Sequence, residues 1–90
     1  MWTLEYSTQF KKDLKRIKHM PAKLQALKDV LNQLEQQGKV DRSLNPHMLS
    51  SEFSGCMECH ILNDFLLIWL DKEAQTIKLI RTGSHSELFK

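Results

Sequence analysis

The chain has 90 residues, is 41% apolar and 27% charged, and carries a formal charge of +2. That length predicts a single domain over residues 1–90, burying only about 60–65% of its unfolded surface, with little room for a deep substrate cavity. No apolar run approaches the ~20 residues that cross a bilayer. Met1 to Tyr6 lack the basic and apolar regions of a secretory leader, so a cytoplasmic, non-membrane protein with reduced Cys56 and Cys59 is expected.

In chain order, Trp2, Leu4 and Tyr6 alternate with Thr3 and Glu5, the period-2 pattern of a half-buried strand. Ser7 offers an N-cap hydroxyl, and Phe10, Leu14 and Ile17 recur at helical spacing. Lys11, Lys12, Lys15, Arg16, Lys18, Lys23 and Lys28 crowd a stretch whose one acid before Asp29 is Asp13. Such a stripe either attracts phosphate backbones or is simply a solvated helix face. Pro21 breaks this helix and opens a second, with Leu24, Leu27, Leu31 and Leu34 as its apolar stripe and Gly38 as its stop.

Residues 39–54 are polar and mixed, with a turn at Asn45-Pro46. Cys56 to Leu62 predicts a strand, and Phe65 to Leu70 a central strand covered on both faces. Asp71-Lys72-Glu73 reads as a turn, Gln75 to Arg81 as another strand, Thr82-Gly83-Ser84 as a loop and Ser86 to Phe89 as a terminal turn. The order is β-α-α-β-β-β. It predicts an α+β fold: an N-terminal strand, a helical hairpin, then an antiparallel meander, with the helices on one face of a small antiparallel sheet.

Cys56-Met57-Glu58-Cys59-His60 matches the C-x-x-C-H pattern of haem attachment, but that chemistry goes with export. A zinc site wants four ligands, and cysteines three apart on a strand face opposite ways. Thioredoxin-like chemistry would need the pair to open a helix. Both cysteines therefore read as ordinary strand residues, and neither metal nor cofactor is expected.

His47, His60 and His85 all lie in polar or turn-like stretches, none on a helix by pattern, near Asp64 and Arg81 in sequence. Imidazole, with an unperturbed pKa of roughly 6.5, exchanges protons near neutrality. Taken singly, each of these five is ordinarily a surface or turn residue. His19, ending the basic helix, reads as a favourable charge at a helix C-terminus. Several imidazoles with a carboxylate and a guanidinium suggest proton-transfer chemistry on an anionic substrate.

His47-Met48-Leu49, Gly55, His60-Ile61, Asp64, Leu66-Leu67-Ile68 and the ending Arg81-Thr82-Gly83-Ser84-His85-Ser86-Glu87-Leu88-Phe89 resemble the YafQ branch of the RelE/ParE toxin superfamily. The ending is the most specific piece, and the N-terminal half fits more loosely. The resemblance implies a RelE-like fold and a type II toxin acting as a ribosome-dependent mRNA endonuclease, neutralised by a cognate antitoxin of ribbon-helix-helix type. It implies active-site roles for His47, His60, Asp64, Arg81, His85 and Phe89. Lys11, Lys12, Lys15, Arg16 and Lys18 would then dock on the ribosome, and operator DNA would be bound only through the toxin–antitoxin complex. The chain departs from the family pattern at Ser51, Met57 and Asn63, where glycine, arginine and proline are frequent. The alternatives are a ParE-like gyrase inhibitor, which needs no proton shuttle, and a DNA-binding co-repressor, for which no helix-turn-helix or ribbon pattern exists in this chain.

Overall fold

The computed structural model describes residues 1–89. In chain order it contains β1 (Thr3–Tyr6), α1 (Thr8–Ile17), α2 (Pro21–Gln37), a 3-10 turn (Arg42–Leu44), β2 (His47–Met48), β3 (Met57–Leu62), β4 (Phe65–Lys72), β5 (Thr76–Gly83) and α3 (His85–Leu88). The strands make one five-stranded sheet in the order β1-β5-β4-β3-β2. β3 to β5 form the expected antiparallel meander, and β2, a two-residue strand in the stretch read as polar and irregular, adds to its edge beside β3; β1 pairs with β5 in parallel, Thr3 opposite Thr76 through Tyr6 opposite Leu79. The sheet is thus mixed: the helical hairpin gives the chain enough length to cross over, which a parallel neighbour requires.

Local chemistry sets the helix ends. The Ser7 hydroxyl caps α1 by accepting from the Phe10 N–H. Pro21 opens α2, and Gly38, at φ 73, closes it in the left-handed conformation, its N–H donating to the Leu34 carbonyl. Trp2 lies against that glycine, where an added Cβ would come within 2.4 Å of the indole.

Alternation along the strands divides the core in two. One sheet face, with Cys59, Ile61, Phe65, Leu67, Trp69, Ile77 and Leu79, packs under Phe10 and Ile17 of α1 and Leu27, Val30 and Leu34 of α2. The other face holds a smaller cluster of Cys56, Leu66, Ile68 and Leu88, flanked by Leu49, Phe53, Leu70, Ile80 and Phe89. The two long helices share one face as expected; α3 lies on the other. Cys56 and Cys59, both free and buried, fall in opposite clusters. Burial, together with the nearby Glu58 carboxylate, pushes the Cys59 thiol up to about 12. Among the described residues, no helix is long and apolar enough to cross a membrane.

The boundaries differ from the sequence expectation mainly at three places. β4 runs through Lys72, moving the turn to residues 73–75, where Ala74 and Gln75 take left-handed φ values of 59 and 53. β5 runs through Thr82 and Gly83, so these residues are strand rather than loop. The C-terminal turn is a short helix opened by His85, because Ser84 and Glu87 form a capping box.

Candidate active site

The small-cluster face carries most of the residues singled out from the sequence. His60 and Glu58, two apart on β3, point the same way, and β2 brings His47 opposite Glu58. The result is a row of rings. His47 and His60 have centroids 6.1 Å apart, His60 and His85 5.8 Å, and His85 and Phe89 6.2 Å. Phe89 in turn meets Phe53 edge-on at 5.6 Å. Two strands, one loop and the short helix α3 with its C-cap, spanning 42 positions of sequence from His47 to Phe89, thus supply one continuous surface.

Asp64 organises the far end of this row. It occupies the β3–β4 turn at φ 52, a left-handed conformation that aspartate tolerates better than most residues. Its Oδ1 accepts from the His85 backbone N–H and lies 2.9 Å from His85 Nδ1. Because a carboxylate only accepts, Nδ1 carries the hydrogen, and Nε2 is the nitrogen left to face a substrate. The same bonds from the His85 backbone and ring hold the Asp64 pKa below its ordinary value, so it is ionised at neutrality.

At the near end, His47 Nδ1 donates to the Asn45 carbonyl at 2.9 Å, and His47 Nε2 lies 3.0 Å from Glu58 Oε1. With Nδ1–H already committed, that second contact needs one proton shared between imidazole and carboxylate. His60 Nε2 is 3.9 Å from the same oxygen. Glu58 is buried, and its Oε2 has no hydrogen-bond partner among the described residues. It escaped the sequence reading. The available signal was its position two residues before His60 on a strand. The three donor groups of His47, Glu58 and His60 lie within 4.8 Å of one another, close enough for two imidazoles and a carboxylate to hold a metal ion together.

Arg81 is placed differently. It lies within β5 rather than ending it, at an irregularity where Ile68 pairs with Arg81 but Trp69 pairs with Leu79, leaving Ile80 as the extra residue. Its hydrogen bonds run to Asp13 of α1 rather than to any histidine. With Gln9, Arg16, Glu52, Glu87 and Leu88 it lines a polar cavity of about 380 Å³. The short helix α3 belongs to both places, presenting His85 to the ring row and Glu87 and Leu88 to this cavity. Glu87 accepts from the Ser84 N–H, which holds its carboxyl below the usual range.

The basic residues of α1 divide by position. Lys11, Lys12, Lys15, Arg16 and the C-cap Lys18 are all exposed. Asp13 is buried, so the helix's solvent side is more basic than its composition suggests. Arg16 reaches back to Asp13 and to Glu87, the latter at 3.4 Å, which makes it part of the cavity wall as well.

A family model described as the bacterial toxin of type II toxin–antitoxin systems, YafQ, matches residues 2–90. A metal-bound toxin from Helicobacter pylori is 36% identical at a TM-score of 0.85, over 99% of this chain and 100% of that one. YafQ from E. coli is 26% identical at a TM-score of 0.87 over the whole of both chains. The match to the E. coli DinJ-YafQ complex has a TM-score of 0.85 and 27% identity, again over the whole of both chains. No curated protein matches. The match over nearly the whole sequence settles the family: this chain belongs to the YafQ toxins of bacterial type II toxin–antitoxin systems.

Proposed function

We propose that the chain is a ribosome-dependent mRNA endonuclease. The observation that supports this most is the unbroken row His47, His60, His85 and Phe89, with the Glu58 carboxylate beside the first two rings and Asp64 beside the third. RNA needs only two proton transfers to cleave itself. The 2′-hydroxyl loses its proton, its oxygen bonds to the adjacent phosphorus, and the P–O5′ bond breaks as O5′ is protonated. A 2′,3′-cyclic phosphate and a 5′-hydroxyl result.

His85 is the general acid in this scheme. Asp64 fixes Nδ1–H, which directs Nε2 toward the leaving O5′ and stabilises the ring while it carries the extra proton. The general base is His47 or His60, beside the Glu58 carboxylate that can take up or return the shared proton. Arg81 stabilises charge developing on the phosphorus oxygens, and Phe89 supplies an aromatic face for a splayed base. A metal ion on His47, Glu58 and His60 would occupy the nitrogens that the base needs, so metal binding and catalysis would compete.

The exposed cations Lys11, Lys12, Lys15, Arg16 and Lys18 dock the protein on ribosomal RNA, an attraction that weakens with salt through counterion release. That substrate places the protein in the cytoplasm. E. coli YafQ has been solved with DinJ, and by that likeness a cognate antitoxin binds this chain too. The antitoxin, of ribbon-helix-helix type, brings operator DNA to the complex. The deciding experiment maps message ends by primer extension after mixing the protein with programmed ribosomes or with naked RNA. Cuts confined to the ribosome reaction are expected; an uncut message under both conditions overturns the nuclease reading.

A further inference from the structure

Asp13 is a fully buried carboxylate on the helix that carries the docking cations, and the cleavage chemistry gives it no direct part. Its position follows from how β1 ends. β1 pairs with β5 only as far as Tyr6 opposite Leu79, after which the chain turns into α1 and leaves the edge of β5 open from Ile80 onward. The Ser7 N–H donates to the Leu79 carbonyl and the Ser7 hydroxyl to the Ile80 carbonyl. Asp13 Oδ2 then accepts from the Thr82 N–H at 3.0 Å, taking the place of a missing strand.

The same carboxylate grips Arg81 side-on. Oδ2 accepts from Nε at 2.8 Å and Oδ1 from Nη2 at 3.2 Å, while Oδ1 also accepts from Arg16 and from Gln9. This two-point grip fixes the plane of the guanidinium. Among the described residues Arg81 hydrogen-bonds only through Nε and Nη2, which leaves Nη1 without a partner on a side chain that lines the polar cavity. Burial pushes the Asp13 pKa up, but the bonds from Arg81 and Thr82 more than offset it, and the group ends below its ordinary value.

We propose that Asp13 is a positioning residue for Arg81, holding the guanidinium so that its free Nη1 edge meets the phosphodiester before the reaction begins. The idea rests on the nuclease reading for its consequence, though not for its geometry. A guanidinium already in place needs no reorganisation as charge develops, so its loss of order is felt in the transition state more than in binding. Asp13 touches no substrate in this scheme; it acts through Arg81 alone.

The test is a cycle of D13N, R81A and the double variant in ribosome-programmed cleavage, with D13E as the conservative rescue. D13N is expected to lower kcat about 10- to 100-fold with KM changed less than about twofold. It should add nothing further to R81A, and D13E should recover part of the rate. If D13N cleaves at the parental rate, or costs as much in the R81A background as alone, the proposal is overturned and Asp13 is only a clasp between α1 and β5. Nitrogen-15 spectra of the Arg81 side chain in the parent protein give a second measurement, needed if D13N does not fold. A single Nε–H signal with slow exchange supports the grip; an averaged, rapidly exchanging one overturns it. Because that measurement requires no cleavage, a parent that never cuts message defeats the nuclease reading while the spectra still decide the Asp13 grip.

Discussion

The two faces of the sheet are made by alternate residues of the same strands, yet they obey opposite rules. On the face under α1 and α2, Cys59, Ile61, Leu67 and Trp69 are closed over by Phe10, Leu27 and Leu34. On the other, Cys56, Leu66, Ile68 and Leu88 alone among the described residues form a buried apolar floor, and around it stand Glu58, three half-exposed histidines and Phe89. The covered face supplies stability through apolar burial. The open face keeps imidazoles accessible and tolerates a buried carboxylate oxygen with no partner, an arrangement that packing alone would not select. The difference predicts that substitutions on the two faces separate activity from stability.

The largest separation is expected between His85 and Phe10. H85A removes the proposed acid from a ring whose side chain is 56% exposed, so the cleavage rate should fall by about 10²–10⁴-fold while the unfolding midpoint hardly moves. Phe10→Ala empties a fully buried site in the covered core and should cost about 3–5 kcal/mol of stability in urea unfolding, with the rate per folded molecule unchanged. A parental cleavage rate in H85A, or a Phe10→Ala protein as stable as its parent, breaks the division.

Glu58 sharpens the comparison, since it has the burial of the core and the chemistry of the site. Glu58→Gln removes a buried charge with one oxygen unbonded, so stability should hold or rise by about 1 kcal/mol. Cleavage should fall at the same time, because the proton shared with His47 loses its carboxylate. Loss of both stability and activity would show that Glu58 belongs to the packing after all.

The same contrast governs what could be read from the sequence. The covered face was legible because its apolar residues repeat with the periods of helix and strand: Phe10 and Ile17 in α1, Leu27 and Leu34 in α2. The histidines and Asp64 were legible through the resemblance of the C-terminal half, since spacing says nothing of how far apart residues 47 and 85 fold. Asp13 and Glu58 were missed because both break the pattern that a periodicity argument relies on. Asp13 follows Phe10 by three and precedes Ile17 by four, a carboxylate within the apolar stripe, and its partner Arg81 is 68 residues away. The helical start at His85 was also in plain view, in the spacing of Ser84 and Glu87.

Acid titration tests the joint between the faces. Because folding lowers the Asp13 pKa below its reference of 3.8, this carboxylate contributes its full stability above the unfolded value. The contribution is lost as pH falls through the lower folded value. Parent stability should therefore decline below about pH 4 more steeply than that of D13N, followed by the unfolding midpoint at successive pH values. Equal slopes for the two proteins would remove Asp13 from the acid response.

The smallest expected effect falls at Ser7, where β1 gives way to α1. Its hydroxyl accepts from the Phe10 N–H and donates to the Ile80 carbonyl, so one oxygen caps the helix of the covered face and closes the strand edge beside Arg81. Ser7→Ala removes both bonds. The lost cap should cost about 1 kcal/mol, and water can reach the half-buried Ile80 carbonyl to replace the second bond. If Asp13 alone holds Arg81, cleavage per folded molecule should be unchanged, because the Asp13 grip does not pass through Ser7. A rate loss beyond the fraction unfolded would instead mean that the edge of β5 is held as a unit, with Ser7 and Asp13 sharing the task of aligning Arg81. Rate and stability measured on the one variant therefore decide whether the two faces meet at a single carboxylate or along a whole strand edge.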